Sequence, residues 1–137
     1  MYKRQVLRYA LEQGINFIDS AKIYETYPYI REALKGWSKE VIITSKSYDY
    51  EYEGMKKTVE EARQALNRDK IEIFMLHEQE SALTLKGHWP AIEYLLEAKA
   101  KNIIGAVGVS THYIALSLIH ICSGEFCGSG RPCFGTT

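Results

Sequence analysis

An acid, a cation and an imidazole recur along this chain, roughly 30 residues apart and each at the end of a short apolar run. Asp19 follows Ile15-Asn16-Phe17-Ile18, and Ser45-Lys46 follows Val41-Ile42-Ile43-Thr44. His77-Glu78 follows Ile71 to Leu76, and Ser110-Thr111-His112 follows Ile103 to Val109. Such groups hold and move protons. A lysine of near-neutral pKa also attacks carbonyls to form a Schiff base, although pairing with Asp19 would keep Lys46 charged and oppose that role. Each residue alone has an ordinary reading. A strand-terminal Asp is often a cap, Lys46 could be solvated, and His77 could be a satisfied core histidine. Together they point to a site, because a buried lysine beside an aspartate is costly without a purpose.

The elements that position them follow from periodicity. Val6, Leu7, Ala10 and Leu11 have helical spacing, and Gly14 stops the helix. Ile30, Ala33 and Leu34 mark a helix over Tyr29 to Lys35, ended by Gly36. Met55, Val59, Ala62 and Leu66 make an amphipathic stripe. Pro90 suits a first helical turn, with Ile92, Leu95 and Leu96 as the apolar face. Between these helices lie the four apolar runs, rich in β-branched residues and too short for helices. The order is α-β-α-β-α-β-α-β, the period of βαβ units with parallel strands buried on both faces. Gly105 and Gly108, inside the fourth run, mark close packing. A doubly wound sheet and a (β/α)8 barrel both fit; the first lacks its G-x-G-x-x-G after the first strand. The carboxyl ends of such strands build the active site in either case.

Composition removes other classes. The 137 residues carry 17 Lys+Arg and 17 Asp+Glu, a formal net charge of zero, which argues against a nucleic-acid binder. With 46% hydrophobic residues and no run of the roughly 18 needed for a span, the expectation is a globular chain off the membrane. The opening MYKRQVLRYALEQG is an amphipathic helix and no signal peptide. Cys122, Cys127 and Cys133 crowd the end, odd in number and without zinc spacing, so neither a disulfide framework nor a metal is expected. The cysteine-free body suits the cytoplasm.

Gly14-Ile15-Asn16-Phe17-Ile18-Asp19-Ser20-Ala21-Lys22-Ile23-Tyr24 resembles the G-x-N-F-x-D-[ST]-A-x-x-Y signature of the aldo-keto reductase superfamily. Ile43-Thr44-Ser45-Lys46 resembles its lysine strand, Leu76-His77 its histidine strand, and Gly108-Val109-Ser110 the strand whose end meets the nicotinamide. The four matches keep family order and spacing. The resemblance implies an α/β fold, a partial (β/α)8 TIM barrel of about four parallel strands with intervening helices. It implies an oxidoreductase that reduces an aldehyde or ketone to an alcohol with NADPH, NADH being the alternative cofactor. Tyr24 would be the general acid; a free tyrosine titrates near pH ~10, and a close Lys46 cation would favour its phenolate and ease proton donation. Asp19 would pair with Lys46 and lie at the cofactor, and His77 would bind and orient the substrate carbonyl. Ser110 would bind the carboxamide, with Thr111 standing where the family often has Asn. The other readings are a non-catalytic cofactor-binding or regulatory subunit of the same fold and, on an unrelated barrel, a Schiff-base lyase using Lys46.

Other polar positions have plainer expectations. Tyr48, Tyr50 and Tyr52 could line a pocket or form a partly packed loop, the latter favoured. Glu78-Gln79-Glu80 reads as a polar loop, His88-Trp89 as a helix start, and Trp37 as packing at a helix-strand junction. The resemblance covers residues 1–115 as the N-terminal half of the barrel, its first strand missing, along with the later strands that grip the cofactor phosphates. After Ala115 the alternation stops. Leu116 to Ile121 resembles a reading frame of a transposon-end adapter, so 116–137 is expected to be a non-native or disordered tail without function. The oligomeric state is left open.

Overall fold

The computed structural model describes residues 2–113, so the three cysteines and the expected tail lie outside the described residues. The chain opens with α1 (Tyr2–Glu12), which buries Leu11 and ends where Gly14 adopts φ +95°. β1 (Phe17–Asp19), a 3₁₀ turn (Lys22–Tyr24) and α2 (Tyr27–Leu34) follow, with Gly36 at φ +70° after the helix. Only glycine takes these left-handed angles without a Cβ penalty, hence both stops. β2 (Ile42–Ser47) leads to α3 (Tyr52–Leu66), whose expected stripe of Met55, Val59, Ala62 and Leu66 is fully buried. β3 (Ile71–Leu76) is followed by two helices, α4 (Ala82–Gly87) and α5 (Trp89–Ala100), and then β4 (Ile104–Val109).

α4 is the departure from the expected order. The Ser81 hydroxyl accepts from the Thr84 N–H at 3.1 Å, an N-cap that starts the helix, and Leu85 seals it against the core. With six residues, α4 is too short to show a periodicity of its own. Pro90 lies in the first turn of α5, as its missing N–H allows.

All four strands are parallel, in the order β1-β2-β3-β4. A doubly wound sheet reverses its order at a switch point. Here the order never reverses, and the helices form one layer, α1 on α2, α2 on α3, α3 on α5. That is an arc of a (β/α)8 barrel wall, and it decides between the two architectures. Among the described residues β1 and β4 each pair on one side only.

Parallel register gives each face its residues. Ile18, Ile43, Ser45, Phe74, Leu76, Val107 and Val109 point to the helices, where Met55, Val59 and Leu95 complete the core. Phe17, Ile42, Thr44, Lys46, Ile73, Met75 and Gly108 share the opposite, inner face. Burial on both faces was the expectation from the apolar runs. The inner face is covered only in part, with Phe17 48% exposed and Ile42, Ile73 and Met75 half-buried. Gly105 has the close contact expected of it, since a Cβ there would lie 2.6 Å from the Glu72 carbonyl. Trp37 packs against the edge of the core, with the Arg8 guanidinium over its ring.

Candidate active site

Every polar strand-end residue lies at one end of the sheet, because parallel strands all point the same way. Asp19 closes β1, Lys46 is the last residue but one of β2, and His77 and Ser110 directly follow β3 and β4. Lys46 is 6% exposed. Its Nζ donates to both oxygens of Asp19, at 2.7 and 2.6 Å. This is an ion pair, charge-assisted and geometrically fixed. The Schiff-base reading needs an Nζ open to a carbonyl, and here the Nζ is held by Asp19.

Tyr24 sits at the end of the 3₁₀ turn, half-exposed. Its hydroxyl is 3.4 Å from His77 Nε2, and the two rings meet edge to face with centroids 5.7 Å apart. The Lys46 Nζ lies 5.6 Å from the Tyr24 ring centroid. The four residues expected at the reacting centre, Asp19, Tyr24, Lys46 and His77, are therefore together, as an ion pair beside a phenol-imidazole pair. Lys46 is paired with Asp19 as expected, and the Tyr24 hydroxyl faces His77.

His77 is buried, and its Nδ1 has no hydrogen-bond partner. Burial lowers its pKa below the ordinary value, against an opposing pull from the Glu78 carboxylate, with the Lys46 cation adding to the lowering. The ring is neutral at pH ~7, with one nitrogen a donor and the other an acceptor. Tyr48 stacks on it, centroids 4.4 Å apart and 24° between planes. The Tyr48 hydroxyl donates to Glu78 Oε2 at 2.5 Å, a bond that raises its pKa to about 12. His112 Nε2 meets the other Glu78 oxygen at 3.2 Å.

Tyr48 is the residue that sequence reasoning undervalued. Of the tyrosine run, Tyr52 belongs to α3 and donates to Glu97, and Tyr50 stacks on His88. Only Tyr48 covers His77, and its one signal was its place two residues past Lys46. Tyr48, Tyr50 and Ile23 also line an open groove of about 510 Å³ beside the site. Gln79 is buried and structural, donating to the His77 carbonyl at 3.1 Å while its Oε1 meets His88 Nδ1 at 3.0 Å.

Ser110 and Thr111 stand at the same end and outside this cluster. The Ser110 hydroxyl accepts from the Glu78 N–H at 2.9 Å, which leaves its own proton free to donate. Thr111 Oγ1 accepts from the Tyr113 N–H at 3.0 Å. Ser110 is thus bound to the residue after His77, and Thr111 is turned to its own loop. Among the described residues no three metal-ligating side chains cluster, and no helix is long and apolar enough to cross a membrane.

The model of the Aldo/keto reductase family matches residues 2–119. Solved structures show the same fold. An aldo/keto reductase from Brucella melitensis is 22% identical, with a TM-score of 0.71 over 88% of this chain and 49% of that one. The holo form of an aldo-keto reductase from Bacillus halodurans is also 22% identical, with a TM-score of 0.71 over 85% of this chain and 44% of that one. An aldo-keto reductase from a Medee basin deep-sea metagenome library gives 22% identity and a TM-score of 0.70, over 77% and 40% respectively. The chain spans less than half the length of each. No curated protein matches it.

Proposed function

This chain belongs to the Aldo/keto reductase family, and from that premise we propose that the full-length protein is an oxidoreductase reducing an aldehyde or ketone to an alcohol with NADPH. One observation carries the reading: the Tyr24 hydroxyl, His77 Nε2 and the Lys46–Asp19 pair converge where parallel strands end. A carbonyl oxygen between the Tyr24 hydroxyl and His77 would touch both. His77, neutral because it is buried, holds and orients that oxygen without competing for the proton. Tyr24 delivers the proton as negative charge develops there. Lys46, fixed by Asp19, puts a permanent cation beside the phenol ring and stabilises the phenolate left behind. Tyr48 shields one face of His77 from water.

The cofactor supplies the hydride when bound. The described residues fit its nicotinamide end: Ser110 keeps a free hydroxyl proton at the end of β4, suited to a carboxamide oxygen. Thr111 would add little, its hydroxyl being already occupied. A non-catalytic subunit is not favoured, since all four reacting groups stand together. NADPH is proposed over NADH, a small carbonyl compound as the substrate, and the cytoplasm as the compartment, in line with a body free of cysteine up to Cys122.

The test is carbonyl-dependent loss of nicotinamide absorbance by the full-length protein. Tyr24→Phe keeps the ring and removes the proton, so kcat should fall by about 10²–10⁴-fold. A mutant within about twofold of wild type would remove Tyr24 from the mechanism. We propose further that the 137-residue chain alone does not turn over, because the resemblance puts the phosphate anchors in strands beyond β4. It should bind NADPH no tighter than about millimolar. Saturable micromolar binding in a fluorescence titration, with turnover, would overturn this.

A further inference from the structure

The turn that carries Tyr24 has no buried side chain of its own. Ile23 is 62% exposed and Tyr24 48%. Its backbone bonds are local: Tyr24 N–H to the Ala21 carbonyl at 3.1 Å and Glu25 N–H to the Lys22 carbonyl at 3.3 Å. Such bonds fix the shape of the turn, and its flanks are held to β2 by the Ser20 N–H on the Thr44 carbonyl at 2.9 Å and the Tyr27–Ser45 hydroxyl bond at 2.5 Å, which leaves the tilt of the turn itself to its own side chains. A proton donor must be held to within a fraction of an ångström, so the place matters.

Lys22 ties the turn to α3. Its Nζ donates to Thr58 Oγ1 on α3 at 2.6 Å, and lies 3.3 Å from Glu61 Oε2 and 3.6 Å from Asp49 Oδ2. Thr58 is 1% exposed, and its hydroxyl donates onward to Asp49 Oδ2 at 2.5 Å. Ser47 Oγ donates to the same carboxylate oxygen at 2.5 Å. Burial pushes the Asp49 carboxyl up, but the bonds from Ser47 and Thr58 and the Lys22 charge outweigh it and hold the group below its usual range.

Half-exposed ion pairs such as Lys22–Glu61 contribute little by themselves, and Glu61 also faces Lys57 at 3.8 Å. The buried Thr58 hydroxyl is different. It accepts from one side and donates to the other, so a single orientation satisfies it. Asp49 directly follows Tyr48. One network therefore fastens both the turn bearing Tyr24 and the loop bearing Tyr48, the two rings that touch His77.

We infer that Lys22 is a positioning residue, which through Thr58 and Asp49 sets the Tyr24 hydroxyl against His77. The inference deepens the proposed function and rests on it for its purpose. Its test reads the contact itself, so the two can fail separately. In the full-length protein with labelled tyrosine and histidine, the wild type should show a nuclear Overhauser contact between the Tyr24 and His77 rings. Lys22→Gln should lose it, and the His77 ring nitrogen shifts should move to those of Tyr24→Phe. Lys22→Arg, still a cationic donor, should retain both signals. Thr58→Val keeps the Lys22 charge and the side-chain shape, and should lose the contact as Lys22→Gln does, which separates positioning from a field effect. A contact that survives in folded Lys22→Gln overturns the inference. Should that variant fail to fold, a contact that survives in Thr58→Val does so.

Discussion

The two faces of the sheet are made by alternate residues of the same strands, and they do different things. Ile43 and Phe74 face the helices and are fully buried. Their neighbours Ile42, Ile73 and Met75 face inward and keep some exposure, and among them stand Lys46 and its partner Asp19. The helix face is mostly apolar and packed, while the inner face and its rim hold the Lys46–Asp19 pair and the other reacting groups. Each strand thus turns alternate positions to the core and the positions between them to the site, because successive side chains alternate. Core and site can be varied separately to that extent.

The largest effect should come from the packed face. Phe74→Ala removes a fully buried ring and should cost about 3–5 kcal/mol. Circular dichroism through a urea titration measures it, and a loss of about 1 kcal/mol or less would mean that the helix layer packs loosely. Next comes the charge pair. In carbonyl reduction by the full-length protein, Lys46→Met should abolish activity and Asp19→Asn impair it. The double mutant should depart from additivity by about 0.5–3 kcal/mol, since the two act as one unit. Additive losses would show that the ion pair in the structure is not coupled to the reaction.

A smaller effect is expected on the open face. Phe17→Ala truncates a half-exposed ring and should cost about 1 kcal/mol. A loss equal to that of Phe74→Ala would erase the contrast between the faces. The smallest effect is a pH dependence. Burial holds the His77 pKa below its ordinary value, so the unfolded chain binds that proton more readily than the folded one. The stability His77 leaves intact is fully present above pH ~6.5 and is lost as pH falls through that value toward the folded pKa. His77→Gln should flatten this part of the acid limb, measured as the difference in urea midpoint between the two proteins across that window.

Much of the fold was legible because its causes are local. The β-branched run before Lys46, the stripe on α3 and the stops at Gly14 and Gly36 each depend on residues within one element. The placement of Asp19, Lys46 and His77 at strand ends was legible for the same reason, parallel strands putting like ends together. α4 was not, since six residues held by Ser81 leave no periodic trace. Nor was the role of Tyr48, whose neighbours in sequence suggest a packed loop.

The sequence by itself determined which segments form strands and helices, where they stop, and which reactive groups stand at one end of the sheet. Resemblance added the family and, with it, the barrel. The tertiary structure decided what each group touches. Tyr24 meets His77 across 53 positions, Lys22 meets Thr58 across 36, and Lys46 meets Asp19 across 27. The Lys46–Asp19 pair was expected from the resemblance, but that the Tyr24 hydroxyl faces His77 under the Tyr48 ring is a division that the list of residues does not contain. Contacts of that span depend on how each crossover helix packs and how its loop closes. The energy that selects them is shared over the whole core and is written in no single stretch of sequence.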